Sequence, residues 1–240
     1  MLKLVGFDAD DTLWHSEIYF RTVHAEFERI LGHYLDLGNT KVHDRLLDVE
    51  RTNIKLFGYG AKGMTLSMLE TAITLSSERI SAKHLHDIIN LGKDVLAHPV
   101  ELIAGIDEAV QEIAREYQVV LITKGDLFHQ ESKVAKSGLS SHFGRIEIVS
   151  EKDPATYQRV LSEFGLAPHQ FLMVGNSIRS DIAPVLQIGG YAVHMPYPVT
   201  WAMEMDDQFV ADAFRMRTVD HAKSIPAAVH ELALTASRRH

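Results

Sequence analysis

The chain has no cysteine among its 240 residues. That excludes a disulfide, a thiolate metal site and a thiol nucleophile. It lacks any apolar run approaching the roughly 20 residues that a membrane-spanning helix needs, so no membrane association is expected. There is no internal repeat and no low-complexity tract. No basic tract exceeds the Arg238-Arg239 pair, and 24 Lys and Arg stand against 32 Asp and Glu, a net charge of −8. Such a surface repels a nucleic-acid backbone, so no nucleic-acid partner is expected. The 14 histidines are scattered, with no HxxxH or HExxH helix spacing. The N-terminus runs into a short strand and not into a secretory leader, so a cytoplasmic protein is expected. Strand patterns are missing from residues 15–98.

What is present is organised in two styles. Leu2 to Phe7 reads as a buried strand. Four helical patterns then follow: Ile18 to Leu35, Arg45 to Phe57, Met64 to Leu75 and Ala82 to Leu96, with apolar residues recurring mostly every four positions. The Gly-rich segment Phe57-Gly58-Tyr59-Gly60-Ala61-Lys62-Gly63 between two of them reads equally as a substrate-facing loop or a plain interhelical turn. His98-Pro99 marks a boundary, because the residue before proline is biased away from helix. Beyond it short apolar strands alternate with amphipathic helices. The strands are Val119–Ile122, Arg145–Val149, Phe171–Val174, Tyr191–Met195 and Phe214–Val219. The helices are Asp107–Tyr117, Phe128–Lys136, Pro154–Phe164, Ile178–Leu186 and Ile225–Ala233. This alternation predicts an α/β fold, a doubly wound, Rossmann-like parallel sheet formed by residues 1–14 and 100–240, with residues 15–99 inserted as an all-helical domain.

Four chemistry-bearing segments follow strands or open helices. Asp8-Ala9-Asp10 leaves the first strand. Thr123-Lys124-Gly125-Asp126 leaves the strand at 119–122. Lys152 precedes the helix that starts at Pro154. Gly175-Asn176-Ser177, with Asp181, follows the strand at 171–174. Parallel strands deliver such segments to one edge of the sheet, where α/β folds bind ligands. Clustered carboxylates there repel one another unless a cation or proton intervenes. The residue types suit phosphoryl transfer, which needs positive charge, hydrogen-bond donors and an in-line nucleophile. Asp8 can form an aspartyl-phosphate. Asp10 can protonate the leaving oxygen and then deprotonate the attacking water. Thr123 offers a hydroxyl, Lys124-Gly125 a backbone turn with donors, and Lys152 a point charge; the Lys124 side chain itself is expected to face solvent. Lys133 rivals Lys152 but falls inside a predicted helix. Asp181 and Asp8, with a carbonyl near Asp10, offer the hard oxygens Mg²⁺ prefers.

In this order the four segments resemble the four motifs of the haloacid dehalogenase (HAD) superfamily, and the helical insert resembles its C1 cap. The resemblance spans essentially the whole chain, and the strand ending DxDxT is its most specific part. It implies Mg²⁺ as cofactor and, most often, phosphatase activity on a small phosphorylated metabolite under an enclosing cap. It implies Asp8 as nucleophile, Asp10 as acid and base, Thr123 and Lys152 as phosphate ligands and Asp181 as a metal ligand. Two positions depart from the pattern. Asp11 replaces the usual glycine; local reading makes it a turn or cap residue. Asn176 replaces the usual aspartate, so it is expected to meet the metal through its carbonyl or through water, with Asp181 as the direct carboxylate ligand. The alternatives are a 2-haloacid dehalogenase, which needs no metal and has little use for Asp10, and a non-catalytic binding or regulatory protein that keeps the fold. His194, Tyr197 and Trp201 read as packing and loop in preference to the rim of a site.

Overall fold

The computed structural model describes residues 1–206 and 208–237; the Arg238-Arg239 pair lies outside them. The chain divides into two compact units. One comprises Met1–Glu17, Val100–Lys124 and Gln130–His240; the other comprises Ile18–Pro99 and Gly125–His129.

The first unit is built on six parallel strands: β1 (Leu4–Phe7), β2 (Gln118–Lys124), β3 (Arg145–Val149), β4 (Phe171–Gly175), β5 (Tyr191–His194) and β6 (Met216–Thr218). Their order is β3-β2-β1-β4-β5-β6, the Rossmann order. In β1 all four residues are buried, because parallel neighbours pair with it on both sides: Phe7 lies opposite Leu121 of β2 and Val174 of β4. Side chains alternate between the two faces of the sheet. Val5, Phe7, Leu121, Leu172 and Val174 pack in one apolar layer with residues of the helices at Ile106–Ala114 and Ile225–Ser237. Leu4, Val120, Ile122, Phe171 and Met173 pack in the other, with residues of the helices at Pro154–Glu163 and Ala183–Ile188. Helices thus cover both faces, as a near-continuous apolar strand pattern requires. The connections run from β1 to β2 and β3 on one side and then return to β4 on the other. The crevice at the carboxyl ends of β1 and β4 is therefore the topological switch point at which such folds bind ligands.

The second unit holds α1 (Glu17–Leu31) beyond its first residue, α2 (Val42–Phe57), α3 (Ala61–Leu75) and α4 (Ala82–Ala97). Its core is the helical stripe of each element: Val23, Phe27 and Ile30; Val42 and Leu46; Met64, Met68 and Ala72; Ile88 and Val95. Helices α3 and α4 meet closely at Gly92, where a Cβ would sit 1.9 Å from Thr65 Oγ1. The Gly-rich segment forms the turn between α2 and α3, and Lys62 Nζ donates to Asp126 Oδ2 at 2.9 Å within this unit. Among the described residues no helix is long and apolar enough to cross a membrane. Among the described residues the remaining α-helices are α5 (Ile106–Ala114), α6 (Leu127–Lys136), α7 (Pro154–Glu163), α8 (Ala183–Ile188) and α9 (Ile225–Ser237).

Candidate active site

The first motif leaves β1 in a tight turn. The Asp8 amide donates to Val174 O at 2.9 Å, and Ala9 O accepts from the amides of Thr12 and Leu13 at 3.2 and 2.7 Å. The turn requires a left-handed backbone at residue 11, where φ is 63°. Glycine adopts this conformation freely and aspartate tolerates it better than most residues. The buried Asp11 carboxylate accepts from the amides of Ser16 (2.8 Å) and Glu17 (3.1 Å), closing the N-terminus of α1. Burial first, and the charge of Asp10 next, push its carboxyl up to about 7. Asp11 is therefore a cap. Asp11→Ala is expected to cost about 0.5–2 kcal/mol of stability, read as a lower urea midpoint with unchanged slope.

Three charged side chains form the centre. Lys152 Nζ donates to Asp181 Oδ1 at 2.7 Å and to Asp8 Oδ1; all three side chains are buried. Thr12 Oγ1 donates to Asp8 Oδ2 at 3.0 Å. One ammonium thus serves two carboxylates. Burial first, and the Asp181 charge next, push the Asp8 carboxyl up to about 7, with Lys152 only partly opposing them. The same two carboxylates raise Lys152 against the effect of its burial.

Local sequence explains how these groups arrive. Lys152 stands just before α7, whose start is set by Asp153, accepting the Thr156 amide at 2.7 Å, and by Pro154 in the first turn. Asp181 was expected in one helix over 178–186. Instead the segment is a π-type turn, Ile178–Ile182, followed by the short α8. Pro184 has no N–H, so it cannot bond the carbonyl of Ser180 four residues back. The buried Tyr157 hydroxyl donates to that carbonyl at 2.9 Å instead. Ser177 caps the turn, its Oγ accepting the Ser180 amide at 3.0 Å, and its own amide donates to Asp181 Oδ2 at 3.0 Å. A Cβ on Gly175 would lie 2.3 Å from Asp181 Cγ and Oδ2, so the missing side chain is the space the carboxylate occupies.

The other predicted residues sit around this centre. The Asp10 carboxylate accepts from Trp14 Nε1 (2.6 Å), Lys133 Nζ (2.6 Å) and Gln130 Nε2 (3.0 Å). Burial works against its charge, but Lys133 and the other donors hold its carboxyl below the usual range. Thr123 Oγ1 accepts from Gln130 Nε2 at 2.9 Å. Asn176 Oδ1 lies 3.3 Å from Thr12 Oγ1, and its main-chain oxygen is 3.0 Å from His194 Nε2. Tyr197 OH is 2.7 Å from His15 Nδ1. Lys124 does not face solvent as expected. It is largely buried, with Nζ 2.5 Å from Glu204 Oε1 and 2.9 Å from Ser180 Oγ. Sequence reading missed Trp14, Gln130 and Glu204, and weighed Lys133 only as a rival of Lys152. Trp14 lies four residues beyond Asp10, and Gln130 and Lys133 share one face of α6, so spacing held a signal for these three. Glu204 carried none.

The donor set fits Mg²⁺. Asp8, Asp181 and the Asn176 amide oxygen are hard oxygen donors, and two buried carboxylates share a single ammonium, which leaves uncompensated negative charge. Among the described residues no three acidic or imidazole groups converge on one point. Mg²⁺ is ordinarily held by one or two carboxylates, with waters and substrate oxygens completing its shell.

A family model described as haloacid dehalogenase-like hydrolase matches residues 2–189. Among solved structures, the chain is similar to a haloacid dehalogenase-like family hydrolase from Xanthomonas campestris, at 54% identity over 100% of this chain and 95% of that one, with a TM-score of 0.89. A 2-haloacid dehalogenase from Pseudomonas syringae shares the fold at 18% identity, TM-score 0.59, covering 96% of this chain and 99% of that one. So does a predicted phosphoglycolate phosphatase from Haemophilus somnus, at 18% identity, TM-score 0.60, covering 95% and 98%. No curated protein matches the chain.

Proposed function

The chain belongs to the haloacid dehalogenase-like hydrolases, and from that premise we propose that it is a Mg²⁺-dependent phosphomonoester hydrolase acting on a small phosphorylated metabolite. The observation that carries this reading is the buried Asp8–Lys152–Asp181 group at the switch point of the sheet. A carboxylate nucleophile, a cation for the phosphate oxygens and a second carboxylate for a metal stand there together. Mg²⁺ held by Asp8, Asp181 and the Asn176 carbonyl, with a main-chain oxygen at Asp10, would offset the repulsion between a carboxylate and an anionic phosphate. Asp8 Oδ attacks phosphorus while the bond to the leaving oxygen breaks, and Asp10 gives that oxygen a proton. Water then attacks the aspartyl-phosphate, Asp10 takes its proton, and the bond to Asp8 breaks to release phosphate. Thr123, the Lys124 main chain and Lys152 bind the phosphoryl oxygens. The donors on Asp10 favour its ionised form, the form the second step uses; the first step draws on the protonated minority.

A 2-haloacid dehalogenase would use Asp8 on carbon and release halide, with no alkoxide to protonate. Three donors gathered on Asp10 weigh against it. The purified chain is expected to hydrolyse p-nitrophenyl phosphate with Mg²⁺ and to stop in EDTA. Turnover that survives EDTA contradicts the reading, and halide release from 2-chloropropionate would replace it with the dehalogenase.

A further inference from the structure

Glu204 lies in a single turn, Ala202–Glu204, beyond β5, in a stretch that carries none of the four motifs. Its side chain is nonetheless only 14% exposed. Oε1 accepts from Lys124 Nζ, and Oε2 accepts from the hydroxyls of both Ser177 and Ser180. A serine hydroxyl has one proton to give. With that proton on Glu204, Ser177 Oγ is left purely an acceptor, as its cap on the Ser180 amide demands. The same residue's amide holds Asp181 Oδ2. The two turns are fastened at a second point, where Arg179 Nη1 donates to Met203 O at 2.9 Å.

We propose that Glu204 is a positioning residue for the metal site: by taking the hydroxyl protons of Ser177 and Ser180 it locks the 176–181 turn that presents Asp181. It touches neither the reacting atoms nor the metal. The inference rests on the Mg²⁺-dependent reading above and concerns what makes that site rigid enough to bind a divalent ion.

The test counts free Mn²⁺ by electron paramagnetic resonance in titrations of the full chain, so it does not depend on turnover. Glu204→Ala is expected to weaken Mn²⁺ binding tenfold or more. Glu204→Gln, whose carbonyl can still accept both hydroxyls although its amide nitrogen cannot accept from Lys124, is expected to regain part of the affinity. Mn²⁺ binding by Glu204→Ala equal to that of the unaltered chain would overturn the inference, as would a Gln variant no better than the Ala variant. Should Glu204→Ala not fold, Ser180→Ala removes one of the two hydroxyl links and leaves the Ser177 cap on the residue 180 amide in place. A threefold or greater loss is then expected, and unchanged affinity overturns the inference. If the unaltered chain binds Mn²⁺ and only the variants behave otherwise than stated, this inference alone falls. If the unaltered chain binds none, the metal-dependent reading falls with it.

Discussion

Asp8→Asn is expected to abolish turnover, by roughly 10⁴-fold or more, yet to leave the metal-free chain more stable above neutral pH. The first half follows from chemistry. An amide cannot attack phosphorus, and the neighbouring carboxylates are engaged elsewhere, Asp10 by Trp14, Gln130 and Lys133 and Asp11 by the amides of Ser16 and Glu17. The second half follows from electrostatics. Asp8 is buried beside Asp181 with one shared ammonium, and its folded pKa of about 7 lies well above the ordinary 3.8. Between these values the folded chain binds the Asp8 proton more tightly than the unfolded chain does. Stability from this group is full below about 3.8 and is lost as pH rises through about 7. Asparagine does not ionise and escapes that loss. Urea midpoints in EDTA at about pH 5 and about pH 8 check this. The gain of the variant over the unaltered chain grows with pH, whereas an equal or shrinking gain contradicts the assigned burial of the charge.

Lys152→Met has the opposite character and an effect of comparable size. Removing the ammonium leaves Asp8 and Asp181 buried and facing each other without a counter-charge. Breaking a buried ion pair from one side costs about 3–5 kcal/mol, and here one cation serves two anions. The variant is expected to lose that much stability and to be inactive as well. Adding Asp181→Asn removes one of the stranded charges, so the double variant should be more stable than Lys152→Met alone. That is the non-additivity expected of groups in one network. Denaturant midpoints of the two single variants and the double variant measure it. Additive losses would mean the three side chains do not act as a unit.

The inner strands β1, β2, β4 and β5 were legible because they are buried on both faces and therefore read as apolar runs, and because Pro99 and Pro154 punctuate the pattern. The helices of the second unit showed in their repeat of four. The single helix predicted over 178–186 was split because one missing N–H at Pro184 is supplied by a tyrosine 27 residues away in sequence, a pairing no local pattern announces. The carboxylates of the candidate site announced themselves through their place after strands. Their partners did so unevenly. Lys133 was set aside because it lies in a helix, yet a lysine at that point of α6 reaches Asp10. Lys124 looked like a surface residue because its partner, Glu204, is 80 positions away and follows no motif.

Phosphorylation of Asp8 is the central step of the proposed reaction. The direct measurement is an acid quench of the full chain during turnover of p-nitrophenyl phosphate with Mg²⁺, followed by peptic digestion at low pH and mass-spectrometric mapping. A phosphoryl group is expected on the peptide that carries Asp8 and is expected to be absent from Asp8→Asn. A phosphoryl group on a different peptide, or none at all while hydrolysis proceeds, would contradict that step.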